Sequence, residues 1–182
     1  MLNVLKSVLP IGEKEIRESI KCISELNLKI NSDNINEENP ALSLANWIIG
    51  VPIIYYPYGL QAAAIRFKNS LQENAKTHAV TEDVIEACHN GIVSWERKSN
   101  FQPIFLQGND DYIKTKERWK ILKEFFITNN IEFWENTSVQ GDILSKLIHL
   151  IYLYDYASIF LAVKNNIDPS PVKSIDFIKN HI

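Results

Sequence analysis

Val51-Pro52-Ile53-Ile54-Tyr55-Tyr56-Pro57-Tyr58-Gly59 reads as a strand followed by the tight turn that ends it. The run is β-branched and aromatic without polar alternation, as in a parallel strand covered on both faces. Pro52 fits only near the strand start. Residues 60–76 then place Leu60, Ala63, Ala64, Phe67 and Leu71 on one helical face. Working outward, the patterns predict a strand over Phe101–Gln107, a helix over 112–129, a strand over 131–135 and a long helix over 141–165. Upstream, Ile16, Ile20 and Ile23 predict an amphipathic helix over 13–26, and the polar residues 31–38 a loop. Asn39-Pro40 has the form of an N-cap with proline at the first helical position, opening a helix that runs to Ile49 and stops at Gly50. Residues 77–80 form a short extended piece, and Ser170-Pro171 opens a terminal helix by the same cap logic. Strands alternating with helices imply βαβ units and hence an α/β fold, a doubly wound parallel sheet in three layers.

The 182 residues make one domain, 1–182, large enough for a real core without disulfides or metals. With 19 basic against 22 acidic side chains, and the basic ones scattered, the net charge of -3 gives no footprint for nucleic acid. Cys22 and Cys88 form no C-x-x-C and no ligand spacing, so neither a disulfide framework nor a metal site is expected, and the cytoplasm is the natural compartment. Met1-Leu2-Asn3-Val4-Leu5-Lys6 lacks the pattern of a secretory signal. Residues 147–163 are apolar but interrupted by His149, Asp155 and Ser158 and shorter than a bilayer span, so no membrane role is expected.

Two further stretches carry chemistry. Glu73-Asn74-Ala75-Lys76 ends the predicted helix of 60–76, and Cys88-His89-Asn90-Gly91-Ile92-Val93-Ser94-Trp95 follows. The negative end of the helix macrodipole disfavours an ionised carboxylate at Glu73, which suits a general base, although a glutamate at a helix end is also an ordinary solvated residue. An imidazole such as His89 titrates near neutrality and can exchange a proton with a sugar ring oxygen, or simply cap a helix start. Arg66 and Glu73, seven residues apart, share a helix face that serves ion pairing as well as a site. His78, His149 and His181 have no motif behind them and read as structural, and Gly108-Asn109-Asp110 is too short and glycine-poor for a dinucleotide or P-loop phosphate cradle.

Together with Asn39-Pro40-Ala41, Val51-Pro52-Ile53-Ile54-Tyr55, Arg66-Phe67-Lys68 and Asp168-Pro169-Ser170-Pro171-Val172, these motifs resemble, in order and spacing, the C-terminal half of the archaeal bifunctional phosphoglucose/phosphomannose isomerases. Those proteins belong to the sugar isomerase (SIS) fold, which is flavodoxin-like, and their signature runs E-N-x-K, then N-H-N-x-I-V-x-W. The resemblance implies a cofactor-independent aldose–ketose isomerase acting on glucose 6-phosphate or mannose 6-phosphate. It assigns proton transfer to Glu73 and ring opening to His89, contributed to the partner subunit's site, with Lys179 as the C-terminal lysine; Arg66 and Ser170 fall at substrate-binding positions. Relatives of this kind carry two SIS domains. This chain lacks the Ser/Thr-rich loop of the first, and Tyr56-Pro57-Tyr58-Gly59 stands where a Gly-Ser-Gly turn is usual, so a separate N-terminal SIS half is an expected partner. The alternative is a non-catalytic SIS module that binds a sugar phosphate or a protein.

The helix of 141–165 is apolar nearly all round. Leu147, Ile151 and Tyr154 on one side, and Leu150, Leu153 and Phe160 on others, exceed what one sheet face covers, so a two-fold homodimer through this helix is expected.

Overall fold

The computed structural model describes residues 11–182; Met1-Leu2-Asn3-Val4-Leu5-Lys6 lies outside them. The elements in chain order are α1 (Glu13–Ile30), α2 (Pro40–Trp47), β1 (Val51–Tyr56), α3 (Gln61–Glu73), β2 (Val80–Asp83), α4 (Val84–Ala87), a 3-10 helix (Gly91–Glu96), β3 (Phe101–Gln107), α5 (Ile113–Thr128), β4 (Trp134–Thr137), α6 (Ile143–Lys164) and α7 (Lys173–Lys179). All four strands run parallel in the order β2-β1-β3-β4. The order reverses between β1 and β3, as in a doubly wound sheet.

Two prolines sit in central strands, and the register explains how. Pairing of β1 with β2 begins at Ile53↔Val80, and pairing of β3 with β4 begins at Ile104↔Trp134. Pro52 and Pro103 each lie one residue before the edge strand starts, where a missing N–H costs no ladder bond on that side.

Successive side chains of a strand point to opposite faces, and this divides the core in two. Ile54, Ile104 and Leu106 face a large layer made by α1, α2, α3 and α6. Tyr55 and Phe105 face a smaller layer built on Trp119, Leu122 and Phe126 of α5 with Val84 and Ala87 of α4. Phe67 of α3 stacks on Tyr154 of α6 with ring centroids 4.1 Å apart.

Caps set the helix starts. Asn39 Oδ1 accepts hydrogen bonds from the amides of Ala41 and Leu42, both at 3.0 Å, ahead of Pro40. Asp142 caps α6 by accepting from Ser145 N at 2.9 Å. At the far end of α6, Lys164 Nζ donates to the Asn46 carbonyl at 2.8 Å, satisfying an orphan group at the end of α2.

Several expectations need correction. α1 runs to Ile30 rather than stopping at 26, because Leu26 and Ile30 continue its buried stripe. β2 occupies Val80–Asp83, not 77–80, because Thr77 N is still tied back to the Leu71 carbonyl at 3.1 Å. β4 begins at Trp134, not 131, because Ile131 N closes α5 onto the Phe126 carbonyl at 2.9 Å while Asn130 takes a φ of 54°. Ser170 does not cap the last helix. Its amide donates to Asp168 Oδ1 at 2.9 Å in a turn, and α7 starts after Val172 without a side-chain cap.

α6 is also covered differently from the expectation. This helix has the length and hydropathy of a membrane span, but α1, α2 and α3 of the same chain pack along it. Leu150, Leu153 and Tyr154 are buried, and Leu147, Ile151 and Phe160 pack partly buried against the same core. Three helices cover much of it where a single sheet face could not. Large apolar side chains stand exposed on α7, at Ile175, Phe177 and Ile178, and on α6 itself at Ile143, Ile159 and Val163.

Truncating the stack tests the α3–α6 seam: Phe67→Ala should lower the unfolding free energy by about 3–5 kcal/mol, measured by urea denaturation. His149 offers a pH test. Its Nδ1 is buried without a hydrogen-bond partner, and burial, with Lys29 nearby, holds the imidazole below its ordinary value of 6.5. The unfolded chain therefore binds the proton more readily, so stability falls as pH drops below 6.5 toward the folded value. Thermal denaturation at pH 7.5 and pH 5.5 should show a smaller acid loss for His149→Leu than for the natural chain.

Candidate functional site

Glu73 is the last residue of α3, and the three residues after it explain why that end is fixed. Asn74 donates through Nδ2 to Ser158 Oγ at 2.8 Å, and Ser158 Oγ in turn donates to the Asp155 carbonyl at 2.7 Å. Ala75 is buried in the larger core. Lys76 takes the left-handed conformation, φ 52°, and turns its ammonium back onto the Glu73 carbonyl at 2.5 Å and toward the Pro169 carbonyl at 3.3 Å. A cation there satisfies an orphan carbonyl and complements the negative helix end. Asn74 and Lys76 thus act as braces that leave the Glu73 side chain free and exposed.

The braced glutamate borders a cleft of about 420 Å³ between the end of α3 and the start of α7. Its wall contains Lys76, Pro171 and Lys173. One carboxylate flanked by two ammonium groups is a setting that receives a polar, anionic or hydroxyl-rich molecule and holds a base beside it. Lys173 was not singled out in the sequence, where it is one of many scattered lysines; only the return of the chain over α3 brings it to Glu73. Lys179 lies on the same terminal helix but outside this wall, exposed. Ser170, also exposed, sits in the turn that leads into the cleft wall.

Arg66 is engaged elsewhere. Its Nε and Nη2 donate to the two carboxylate oxygens of Asp155 on α6, at 3.0 and 2.9 Å, and Ser70 Oγ donates to the same carboxylate at 2.6 Å. The hydrogen bonds from the guanidinium and the charge of Asp155 raise its already high pKa further, with Glu73 a lesser influence. The ion-pairing face of α3 therefore closes on α6 rather than between Arg66 and Glu73.

His89 lies in the turn between α4 and the 3-10 helix, where the amides of His89 and Asn90 both donate to the Glu86 carbonyl, at 3.0 and 2.8 Å. The rest of its motif is anchored inward. Trp95 donates through Nε1 to Tyr55 Oη at 2.9 Å and packs edge-on against Phe126, while Ile92 packs on the smaller core. At Gly91 a Cβ would come 2.6 Å from both oxygens of Glu82, so a larger residue there would displace that carboxylate. Burial, and then Glu86, push the Glu82 carboxyl above its usual range. His89 itself stays exposed on the side of α4 and α5, whereas Glu73 belongs to the side of α3 and α6. One chain does not bring the two together.

The crevice at the carboxyl ends of β1 and β3, where the strand order reverses, is the usual ligand position in such sheets. Here it measures about 240 Å³ and is lined by Tyr58, Tyr112, Asp110 and Asp111, with Lys146 bound to Asp110 at 2.7 Å. Tyr58 is 97% exposed at the turn before α3, whose first turn has no side-chain cap. Carboxylates and phenols replace the small hydroxyls that would cradle a phosphate.

Comparison with known proteins places this arrangement. The family described as bacterial phospho-glucose isomerase C-terminal SIS domain matches residues 37–182. The chain is 30% identical, over its whole length, to a bifunctional phosphoglucose/phosphomannose isomerase of Caldicellulosiruptor bescii, and 27% identical to one of Aquifex aeolicus. It spans 56% of each of these relatives. In three dimensions it superposes on a glucose-6-phosphate isomerase like protein from Thermus thermophilus with a TM-score of 0.69 at 17% identity, covering 86% of this chain and 52% of the other. The C-terminal domain of glucosamine-fructose-6-phosphate aminotransferase from Francisella tularensis superposes at 0.59 and 13% identity, covering 88% and 49%, a likeness of fold alone. With four-fifths of its length matched by the family and the parallel sheet of the SIS fold beneath it, the chain belongs to the bacterial phosphoglucose isomerase C-terminal SIS domain family.

Proposed function

We propose that this chain is half of a cofactor-independent aldose–ketose isomerase that interconverts glucose 6-phosphate or mannose 6-phosphate with fructose 6-phosphate. The observation that carries the reading is Glu73, held at the braced end of α3 and facing a cleft whose wall supplies Lys76 and Lys173. In the first stage a protonated His89 gives its proton to the ring oxygen while Lys179 assists loss of the anomeric hydroxyl proton, and the C1–O5 bond breaks to leave an aldehyde. Glu73 then removes the proton on C2. The electron pair forms the C1–C2 double bond of a cis-enediol, and the carbonyl oxygen at C1 gains a proton. Return of the Glu73 proton to C1, with loss of the O2 proton, gives the ketose. No redox partner is needed, because hydrogen moves within the substrate.

The separation of Glu73 and His89 on opposite sides of one sheet supports a two-fold homodimer in which His89 serves the partner subunit's cleft. The exposed Ile175, Phe177 and Ile178 of α7 supply apolar surface for such contact. A phosphate cradle would come from a separate N-terminal SIS half, since the crevice of this domain carries Asp110 and Asp111. Both cysteines are free, in keeping with a reducing, cytoplasmic setting. That same acidic crevice favours, as a second reading, a binding module without turnover. Calorimetry with 6-phosphogluconate beside a turnover assay separates the two, because the module binds without turning over even when the second half is supplied.

With fructose 6-phosphate and a complementary SIS half present, Glu73→Gln should lose at least about a hundredfold in rate, the scale of one general base; undiminished turnover would remove Glu73 from the mechanism. Mixing Glu73→Gln chains with His89→Ala chains should restore activity that neither variant has alone, since each mixed dimer keeps one intact pair. Failure to complement, together with a monomer in sedimentation at micromolar concentration, would refute the shared site.

A further inference from the structure

A groove of about 700 Å³, larger than the Glu73 cleft, runs along α5 and reaches the carboxyl ends of β3 and β4. α3 returns from β1 antiparallel to the strands, so Glu73 lies at the opposite edge of the sheet, on the opposite face. The groove plays no part in the isomerase reading, and its chemistry is distinct.

Lys116, Lys120 and Lys123 line it at positions i, i+4 and i+7 of α5, on one helical face. Glu124 is the single carboxylate in the lining, in a chain that is acidic as a whole. The acidic groups at the strand ends beside the groove are already engaged. Asp110 takes Lys146 at 2.7 Å, and Asp111 Oδ2 accepts from Gly108 N and Trp119 Nε1, both at 2.9 Å. Glu135 takes Lys123 at 2.9 Å and Gln107 at 2.8 Å. Lys116, whose charge helps hold Asp110 low behind the larger effect of Lys146, and Lys120 make no ion pair among the described residues. Their side chains leave α5 one helical turn apart, within reach of one shared anion.

The lip beside them is held firm. A Cβ at Gly108 would displace the Asp111 carboxylate that accepts from its amide, and Asn109 N donates to Ser138 Oγ at 3.1 Å. The Asn109 side-chain amide and the Thr137 hydroxyl carry no hydrogen bond among the described residues, although both line the groove. A cavity of this size, with buried Trp119 in its lining, two lysines without an ion pair among the described residues and two free polar groups at strand ends, matches the form of a small-molecule site. We infer that this groove is a second ligand site, which takes a small phosphorylated metabolite on Lys116 and Lys120, apart from the Glu73 cleft.

Titration calorimetry with inorganic pyrophosphate at matched ionic strength tests this, and its outcome does not depend on Glu73 being a catalytic base. The natural chain should bind, and K116E/K120E should weaken binding by at least about tenfold, the scale of one charge-assisted hydrogen bond. K116Q/K120Q, which keeps helix-forming side chains, should weaken it in the same direction, with circular dichroism reporting an intact fold. K21E, which reverses an exposed charge on α1 remote from both sites, should leave affinity unchanged. No binding by the natural chain, affinity that survives both lysine pairs, or affinity lost in K21E would each overturn the assignment.

Discussion

The clamp of α3 onto α6 is the contact on which the candidate site depends. Phe67 stacks on Tyr154, Arg66 and Ser70 bind Asp155, and Asn74 binds Ser158, so one face of α3 is read along its length by one face of α6. The energies are unequal. Burying an aromatic pair removes a large apolar area from water, whereas the Arg66–Asp155 pair is half exposed and contributes at most about 1 kcal/mol. Packing therefore supplies the stability, and the polar bonds fix the rotation of α3 about its axis. That rotation decides where Glu73 points.

The same clamp reassigns residues that the sequence alone left with two readings. Arg66 is spent on α6, and Asn74 and Lys76 of the E-N-x-K motif hold the helix end rather than standing free in the cleft. In the second motif the anchor is Trp95, bonded to Tyr55 and packed on Phe126, with Gly91 allowing the close approach of Glu82. Each motif thus joins one outward-facing group to neighbours that hold its backbone. The two outward groups end on different sides of the sheet because α3 and α4 do, which is a property of the winding and not of either motif.

Local chemistry made much of the fold legible. Val51–Tyr56 and Phe101–Gln107 are found where their apolar patterns put them, and Asn39-Pro40 caps α2 as that pair should. Misplacements fall where a long-range or terminal bond outranks local pattern. The amide of Ile131 closes α5 and delays β4, Thr77 is held by the end of α3 and delays β2, and Ser170 is drawn into a turn by Asp168. The error about α6 has the same origin: composition reports that a helix is apolar all round, but not that three helices of its own chain surround it.

What the sequence by itself determined was the kind of each element and the two motifs, because periodicity, caps and prolines act over a few residues. Only the tertiary structure decided which side chains meet. Lys173 reaches the Glu73 cleft, Asp155 claims Arg66, and Lys116 and Lys120 line one groove without an ion pair among the described residues. Such pairings join residues up to 100 positions apart, as Glu73 and Lys173 are. They exist because burying the faces of α3 and α6 against one sheet leaves the chain a single way to pass over the end of α3, and no local pattern encodes that passage.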